Sequence, residues 1–100
     1  MRFDPCFLAT ATFAADAATR REPHRAAHLA YVRELLADGT ALVAGALADL
    51  SASVLVLRAS DEAAARAVLS RDPYRAHGVW TSIEVVPYLA ATVDTIGSNR

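Results

Sequence analysis

Residues 40–58, TALVAGALADLSASVLVLR, decide the fold. Two runs within this stretch, residues 40–47 and 53–58, are rich in the aliphatic and β-branched side chains that favour β-strands. The short segment between the two runs includes Asp49 and Ser51, residue types that are common in turns. The stretch therefore predicts an antiparallel β-hairpin in the middle of the chain.

The second run of this hairpin is apolar on both of its faces. Successive side chains of a strand point to opposite faces, so Val54 and Val56 share one face while Leu55 and Leu57 share the other. Helices packed on the sheet would cover only one of these faces. We expect a second subunit to cover the other, in keeping with a hydrophobic content of 54%, which exceeds the usual ~45–50%.

The segment before the hairpin predicts a helix. Pro23 suits the first turn of that helix, which runs to about Asp38 and is stopped by Gly39. Its apolar stripe comprises Leu29, Val32, Leu35 and Leu36. His28 falls on the same side of the helix, so we expect its imidazole to face the protein or the edge of the core.

The segment after the hairpin predicts a second helix, which the sequence then interrupts. Ser60 can cap this helix, with Asp61 in its first turn, and the alanine-rich residues 62–69 continue it. DPYRAHG, residues 72–78, breaks it. Within the break, Asp72 can cap a single helical turn that begins at Pro73 and is ended by Gly78.

Strands are predicted at both ends of the chain. FLATATF, residues 7–13, alternates with a period of two, and residues 15–22, ADAATRRE, form a polar connection after it. VWTSIEVVPYL, residues 79–89, predicts a last strand that ends near Pro87. We expect residues 91–100 to form a flexible or dimer-contacting tail beyond a single domain of residues 1–90.

The order of elements predicts the fold class. Strand, helix, strand, strand, helix, strand makes each helix a crossover between strands, and right-handed crossovers place both helices on one face of the sheet. The expected fold is therefore α+β and ferredoxin-like, with a β-α-β-β-α-β order and a four-stranded antiparallel sheet.

Composition narrows the classes of partner. All 10 basic residues are arginines, 11 acidic residues balance them, and no basic stripe with interleaved aromatic residues argues for nucleic acid. No apolar segment approaches the ~20 residues that a membrane-spanning helix needs. The single Cys6 can form neither an intrachain disulfide nor a thiolate pair, which favours a reducing, cytoplasmic location.

Three segments together resemble a known family. RAAHLAYVRELLADGTALVAGAL at residues 25–47, DEAAARAVLSRDPYRAHGV at residues 61–79 and IEVVPYL at residues 83–89 are similar to the YCII-related (YciI-like) family. The resemblance implies a ferredoxin-like domain that dimerises through its sheet into an α+β barrel-like assembly. It also implies a site built on a histidine and an aspartate, which fall here on His28 and Asp72, and cofactor-free proton transfer such as elimination.

The residues of this site also have structural explanations. Asp72 is a good helix cap without any catalytic role, and a lone His28 is often a histidine at the edge of a core. A paired imidazole and carboxylate nevertheless suit general acid–base chemistry near neutral pH, because the carboxylate fixes the tautomer and stabilises the protonated ring. Arg25, Tyr74 and Trp80 are weaker candidates for substrate binding, since such residues more often belong to the surface or the core.

Metal and cofactor sites are not predicted. His24 and His28 lie four residues apart on one helical face, but no HExxH pattern accompanies them. The glycines at 39, 45, 78 and 97 are too scattered for a phosphate-binding loop. Two hypotheses remain: a small cofactor-free enzyme of lyase, dehydratase or isomerase type acting on a small cyclic or enolisable substrate, or a non-catalytic dimeric ligand-binding or assembly domain.

Overall fold

A computed structural model describes residues 3–97 of the chain. Its four strands belong to one antiparallel sheet, and its helices connect or follow them. The strands are β1 (Asp4–Phe13), β2 (Ala41–Ala46), β3 (Ala52–Leu57) and β4 (Trp80–Ala90). The helices are α1 (Ala17–Arg20), a 3₁₀ turn (Glu22–His24), α2 (Arg25–Ala37), α3 (Glu62–Ser70), α4 (Pro73–Ala76) and α5 (Val93–Gly97).

The sheet has the strand order β2-β3-β1-β4, with every neighbouring pair antiparallel. This is the order that a β-α-β-β-α-β chain produces when both crossovers lie on one face, so the predicted α+β, ferredoxin-like fold class is confirmed. The central hairpin is β2 and β3, in which Val54 lies opposite Gly45 and Leu55 lies opposite Ala44. The larger core cluster contains buried side chains from β1, β3, β4 and the helices.

The boundaries of several elements differ from those the sequence predicted. The polar connection at residues 15–22 contains the short helix α1, and β1 begins at Asp4 rather than at Phe7, which places Cys6 inside the strand. The last strand continues past Pro87 to Ala90, because β4 is an edge strand and proline is tolerated there. Of the predicted tail, residues 98–100 lie outside the described residues.

Two helix caps refine the prediction. Asp61, not Ser60, caps α3, because the helix begins at Glu62 and the Asp61 carboxylate accepts a hydrogen bond from the backbone N–H of Ala64 at 2.8 Å. The predicted helix through residues 23–38 begins with the 3₁₀ turn, and Gly39 ends it with a φ of +82°, a value that glycine adopts without strain.

The apolar stripe of α2 is only partly buried. Leu35 lies in the core, whereas Leu29 and Leu36 are exposed, so the prediction that all four residues of the stripe face the core is wrong in part. Leu29 is exposed because its side chain lines a pocket beside the helix, which is described below.

The face of the sheet opposite the larger core is also apolar. Cys6, Val56 and Ala90 are buried there in a small cluster, against which Leu8 and Leu42 pack. Around this cluster, Val43, Val86 and Tyr88 are 57%, 49% and 43% exposed. We call this surface, defined by Leu8, Val43, Val54, Val56, Val86 and Tyr88, the open sheet face. The alternation of Val and Leu in β3 thus predicted the two faces correctly.

The reactivity of the Cys6 thiol tests its burial within β1. Burial raises the pKa of Cys6, and the nearby Asp4 carboxylate raises it further while Arg58 opposes the shift. Because the thiolate is the reactive form, we expect Cys6 to react slowly with an aromatic disulfide reagent at mildly alkaline pH and fully after unfolding in guanidinium. Rapid stoichiometric labelling of the native protein would contradict the placement of Cys6 within β1.

Candidate functional site

The site joins two helices that are far apart in sequence. His28 lies in the first turns of α2 and Asp72 immediately precedes α4, yet the imidazole Nδ1 is 2.8 Å from both carboxylate oxygens. The contact that the sequence suggested is therefore present at hydrogen-bonding distance. The Asp72 residue is 1% exposed, and only 12% of the His28 side chain is exposed.

Asp72 is held in place by its own backbone. Its side chain accepts a hydrogen bond from the N–H of Tyr74 at 2.8 Å, Pro73 occupies the first position of α4, and Asp72 has the extended conformation of a helix cap. Both readings of Asp72 thus apply at once: the same carboxylate caps a turn and holds an imidazole. Because the cap holds the carboxylate, its orientation does not depend on the contact with His28.

The pairing with Asp72 determines the tautomer of His28. A carboxylate only accepts hydrogen bonds, so Nδ1 must carry a proton and donate it. In the neutral ring Nε2 is then the basic nitrogen, and among residues 3–97 it has no hydrogen-bond partner. The contact therefore leaves a free base at the far edge of the ring.

Aromatic side chains fix the plane of the imidazole. The His28 ring stacks on Tyr74 with 3.7 Å between ring centroids and an interplanar angle of 6°. Trp80 meets His28 edge-on at 5.6 Å and Tyr74 edge-on at 5.8 Å. Rotation of the ring away from Asp72 would break this stacking, so the packing and the hydrogen bond reinforce one orientation.

A pocket of about 240 Å³ lies against this arrangement. Four of the five residues selected from sequence line it: His28, Arg25, Tyr74 and Trp80, while Asp72 lies behind the His28 ring. Arg25 is exposed, and Tyr74 and Trp80 are buried. The rest of the lining is mostly apolar and comprises Phe13, Arg21, Leu29, Val32, Ala44, Gly45, Ala46, Ser53 and Leu55.

Two of the polar lining residues were not selected from the sequence. Arg21 follows α1 in a segment that was predicted to be a polar connection, and Ser53 belongs to the hairpin strand β3. The Nε of Arg21 and the indole Nε1 of Trp80 are both buried without a hydrogen-bond partner among the described residues. A buried donor in this state typically costs about 1–3 kcal/mol, and no sequence pattern signals it.

Burial also affects the Tyr74 hydroxyl. Desolvation raises the pKa of Tyr74 above its ordinary value, the positive charges of Arg21 and Arg25 oppose the shift, and Asp72 and Glu22 add to it. The phenol therefore stays protonated at physiological pH. Because its hydroxyl has no partner among residues 3–97, it is a donor available to a ligand.

His24, four residues before His28, does not line the pocket. Its ring stacks on His77 with 3.7 Å between centroids and an interplanar angle of 5°. Among residues 3–97, no group of three or more histidine, cysteine, aspartate or glutamate side chains is placed to hold a metal ion. Within the same range, every helix is too short or too polar to cross a membrane.

Fold and site together define a ferredoxin-like α+β domain with a largely buried histidine–aspartate pair beside a small pocket. The profile of the YCII-related domain family matches residues 6–89, so the chain belongs to this family and the resemblance noted from the sequence is confirmed. No curated protein matches the chain.

A solved enzyme structure is similar to this chain over most of the length of both proteins. It is 5-chloro-2-hydroxyhydroquinone dehydrochlorinase (TftG) from Burkholderia phenoliruptrix, in complex with 2,5-dihydroxybenzoquinone. The TM-score is 0.71, and the alignment covers 83% of this chain and 92% of that chain at 22% sequence identity. At this identity the likeness concerns the fold.

Proposed function

We propose that the protein is a small cofactor-free enzyme in which His28 transfers a proton and Asp72 orients and stabilises the imidazole. The observation that carries the proposal is the pairing of Nδ1 with both carboxylate oxygens at 2.8 Å on a ring that lines a pocket. A general base needs a fixed position and a free lone pair. Both conditions are met at His28 Nε2.

The chemistry follows from the tautomer. Nε2 removes a proton from a carbon next to a carbonyl group, and the electron pair of the broken C–H bond moves to the carbonyl oxygen to give an enolate. In an elimination, the carbonyl bond then re-forms, a double bond forms between the α- and β-carbons, and the leaving group departs from the β-carbon with its bonding electron pair. In an isomerisation, the imidazolium instead returns the proton to another carbon. In both cases the imidazolium formed in the first step is stabilised by the Asp72 carboxylate.

The pocket favours a small, flat substrate. Its volume of about 240 Å³ is below the roughly 300–1,000 Å³ of pockets that take drug-sized ligands, and the Tyr74 and Trp80 rings form part of its wall. The dehydrochlorinase with the similar fold carries a single-ring quinone, and by its name it eliminates chloride from a single-ring hydroquinone. We therefore propose a cyclic, enolisable compound as the substrate, by analogy of fold.

The proposal can be tested by elimination and exchange assays. Protein treated with a chelator is incubated with 5-chloro-2-hydroxyhydroquinone, with release of chloride measured, and with cyclic ketones in deuterium oxide, with loss of the α-proton followed by NMR. We expect the chelated protein to accelerate at least one of the reactions by at least about 10²-fold, the smallest usual contribution of a positioned general base. No acceleration with any of these compounds would argue against proton transfer on this substrate class.

A non-catalytic binding or assembly domain is the second candidate. It is favoured by the observation that the His28–Asp72 pair also ties α2 to α4, and by the exposed apolar side chains of the open sheet face. In that case replacing His28 would lower stability without removing any activity.

We further propose that two chains associate through the open sheet face. Exposed Val43, Val86 and Tyr88 surround the buried cluster of Cys6, Val56 and Ala90, and such contiguous apolar surface commonly marks a protein interface. A two-fold dimer would bury the same surface of both subunits.

A further inference from the structure

The pocket carries positive charge and hydrogen-bond donors without matching acceptors. Arg21 and Arg25 line it, and no aspartate or glutamate does. Among residues 3–97 neither arginine forms an ion pair, whereas the neighbouring Arg20 is bound to Asp16 at 2.9 Å. The positive charge on the wall of the pocket is therefore not neutralised by the fold itself.

Two of the donors are also buried. The Nε of Arg21 and the indole Nε1 of Trp80 have no partner, and Trp80 is 1% exposed. Buried donors in folded proteins are almost always paired. Both side chains line the pocket, so a shift of either towards it would let an acceptor there supply the missing bond.

We infer that the pocket binds a planar oxyanion, with Arg21 Nε–H and the Trp80 indole N–H donating to its negatively charged oxygens. The inference rests on the proposed function to the extent that such an oxyanion is the enolate formed when His28 removes a proton. Hydrogen-bond donors aimed at charge that develops during a reaction stabilise that charge. Arg21 and Trp80 are thus assigned as specificity-determining residues of the site.

Planarity follows from the walls of the pocket. The His28 ring lies flat against Tyr74, and the aromatic residues Phe13 and Trp80 line the same space. Aromatic faces pack well on a flat ring, while the arginines select for its charge. The ligand class is therefore a single-ring carboxylate, phenolate or enolate rather than a phosphate or a long aliphatic acid.

Benzoate and the neutral benzamide are suitable probes, because they have nearly the same shape. Trp80 is the single tryptophan, so its indole N–H gives one side-chain signal in a ¹H–¹⁵N spectrum of the full chain. We expect benzoate to bind about tenfold more tightly than benzamide by calorimetry, because hydrogen bonds to a charged acceptor are the stronger ones. Benzoate should also shift the indole proton downfield.

Arginine variants distinguish the effect of the Arg21 hydrogen-bond donor on benzoate binding from the effect of positive charge alone. Arg21→Gln should remove most of the preference for benzoate, and Arg21→Lys should restore only part of it, since lysine keeps the charge but lacks the Nε–H. Arg25→Gln should have a smaller effect because Arg25 is exposed. Arg33→Gln is the matched control: Arg33 is exposed on α2 and does not line the pocket, so binding should be unchanged.

The possible outcomes distinguish this inference from the proposed function. Equal affinity for the two probes, no binding of either, or an unshifted indole signal overturns the oxyanion site even if the protein catalyses proton transfer. Tight, Arg21-dependent binding of benzoate supports the oxyanion site even if no proton-transfer activity is found. If Arg21→Gln does not fold, the comparison of benzoate with benzamide in the unmodified chain still tests whether the pocket is an oxyanion site.

Discussion

Asp72→Asn is expected to reduce the proton-transfer rate by about 10²–10⁴-fold, the usual contribution of a positioned acid or base. The asparagine side-chain oxygen can still accept the Tyr74 N–H and cap α4. Its NH₂ group then faces His28 Nδ1, which must become the acceptor. The ring proton is moved to Nε2, and the site loses its base.

Stability should change much less than activity in this variant. One hydrogen bond to a charged group is lost while the cap is kept, so we expect the free energy of unfolding in urea to fall by about 1–3 kcal/mol. The ¹⁵N shifts of the His28 ring report the tautomer directly, independently of any substrate. A protein with full activity, or with the proton still on Nδ1, would reduce Asp72 to the cap of a turn.

His28→Ala and His24→Ala form a matched pair for the same test. Both remove an imidazole near the start of α2, but only His28 lines the pocket and touches Asp72. We expect loss of activity in His28→Ala and unchanged activity in His24→Ala, whose ring packs on His77 instead. Equal losses in the two variants would point to a structural effect on α2.

The hairpin and its flanking helices made the fold predictable. The alternation in β3 placed its Val and Leu side chains on opposite apolar faces, and the order of elements then predicted one sheet topology; only the structure shows that the Leu face packs on the helices. Cap residues were less predictable, because Ser60 and Asp61 both suit the position and only the start of α3 at Glu62 decides between them. The length of β4 was missed because Pro87 usually ends a strand unless the strand lies at an edge.

The site was predictable only in part. Asp72 and His28 could be paired because a strong cap signal and a family pattern placed them in neighbouring crossovers of one sheet. Arg21 had no such signal: it lies at the end of α1, in the segment that was predicted as a polar connection, and the 3₁₀ turn after it was predicted as the first turn of the following helix. Burial of an unpaired donor is a property of packing, which local sequence patterns do not encode.

Val86→Asp is expected to convert a dimer into a monomer. Val86 is 49% exposed in the single chain, so a carboxylate there remains solvated in the monomer and changes its stability little. In the proposed dimer the same carboxylate would be buried without a partner, which typically costs about 3–5 kcal/mol and weakens association by roughly 10²–10⁴-fold. Glu84, on the same face of β4, adds like-charge repulsion.

Light scattering after gel filtration at micromolar concentration measures this difference. The unmodified chain should have twice the 10.6 kDa mass of one subunit, and Val86→Asp should have the mass of one. Leu50→Asp is the control: Leu50 is 58% exposed in the hairpin loop, away from the open sheet face, and its φ of +60° is tolerated by aspartate. This variant should remain a dimer. Because the two substitutions place the same charge on similarly exposed leucine and valine positions, dissociation of both, or of neither, would mean that the open sheet face is not the interface.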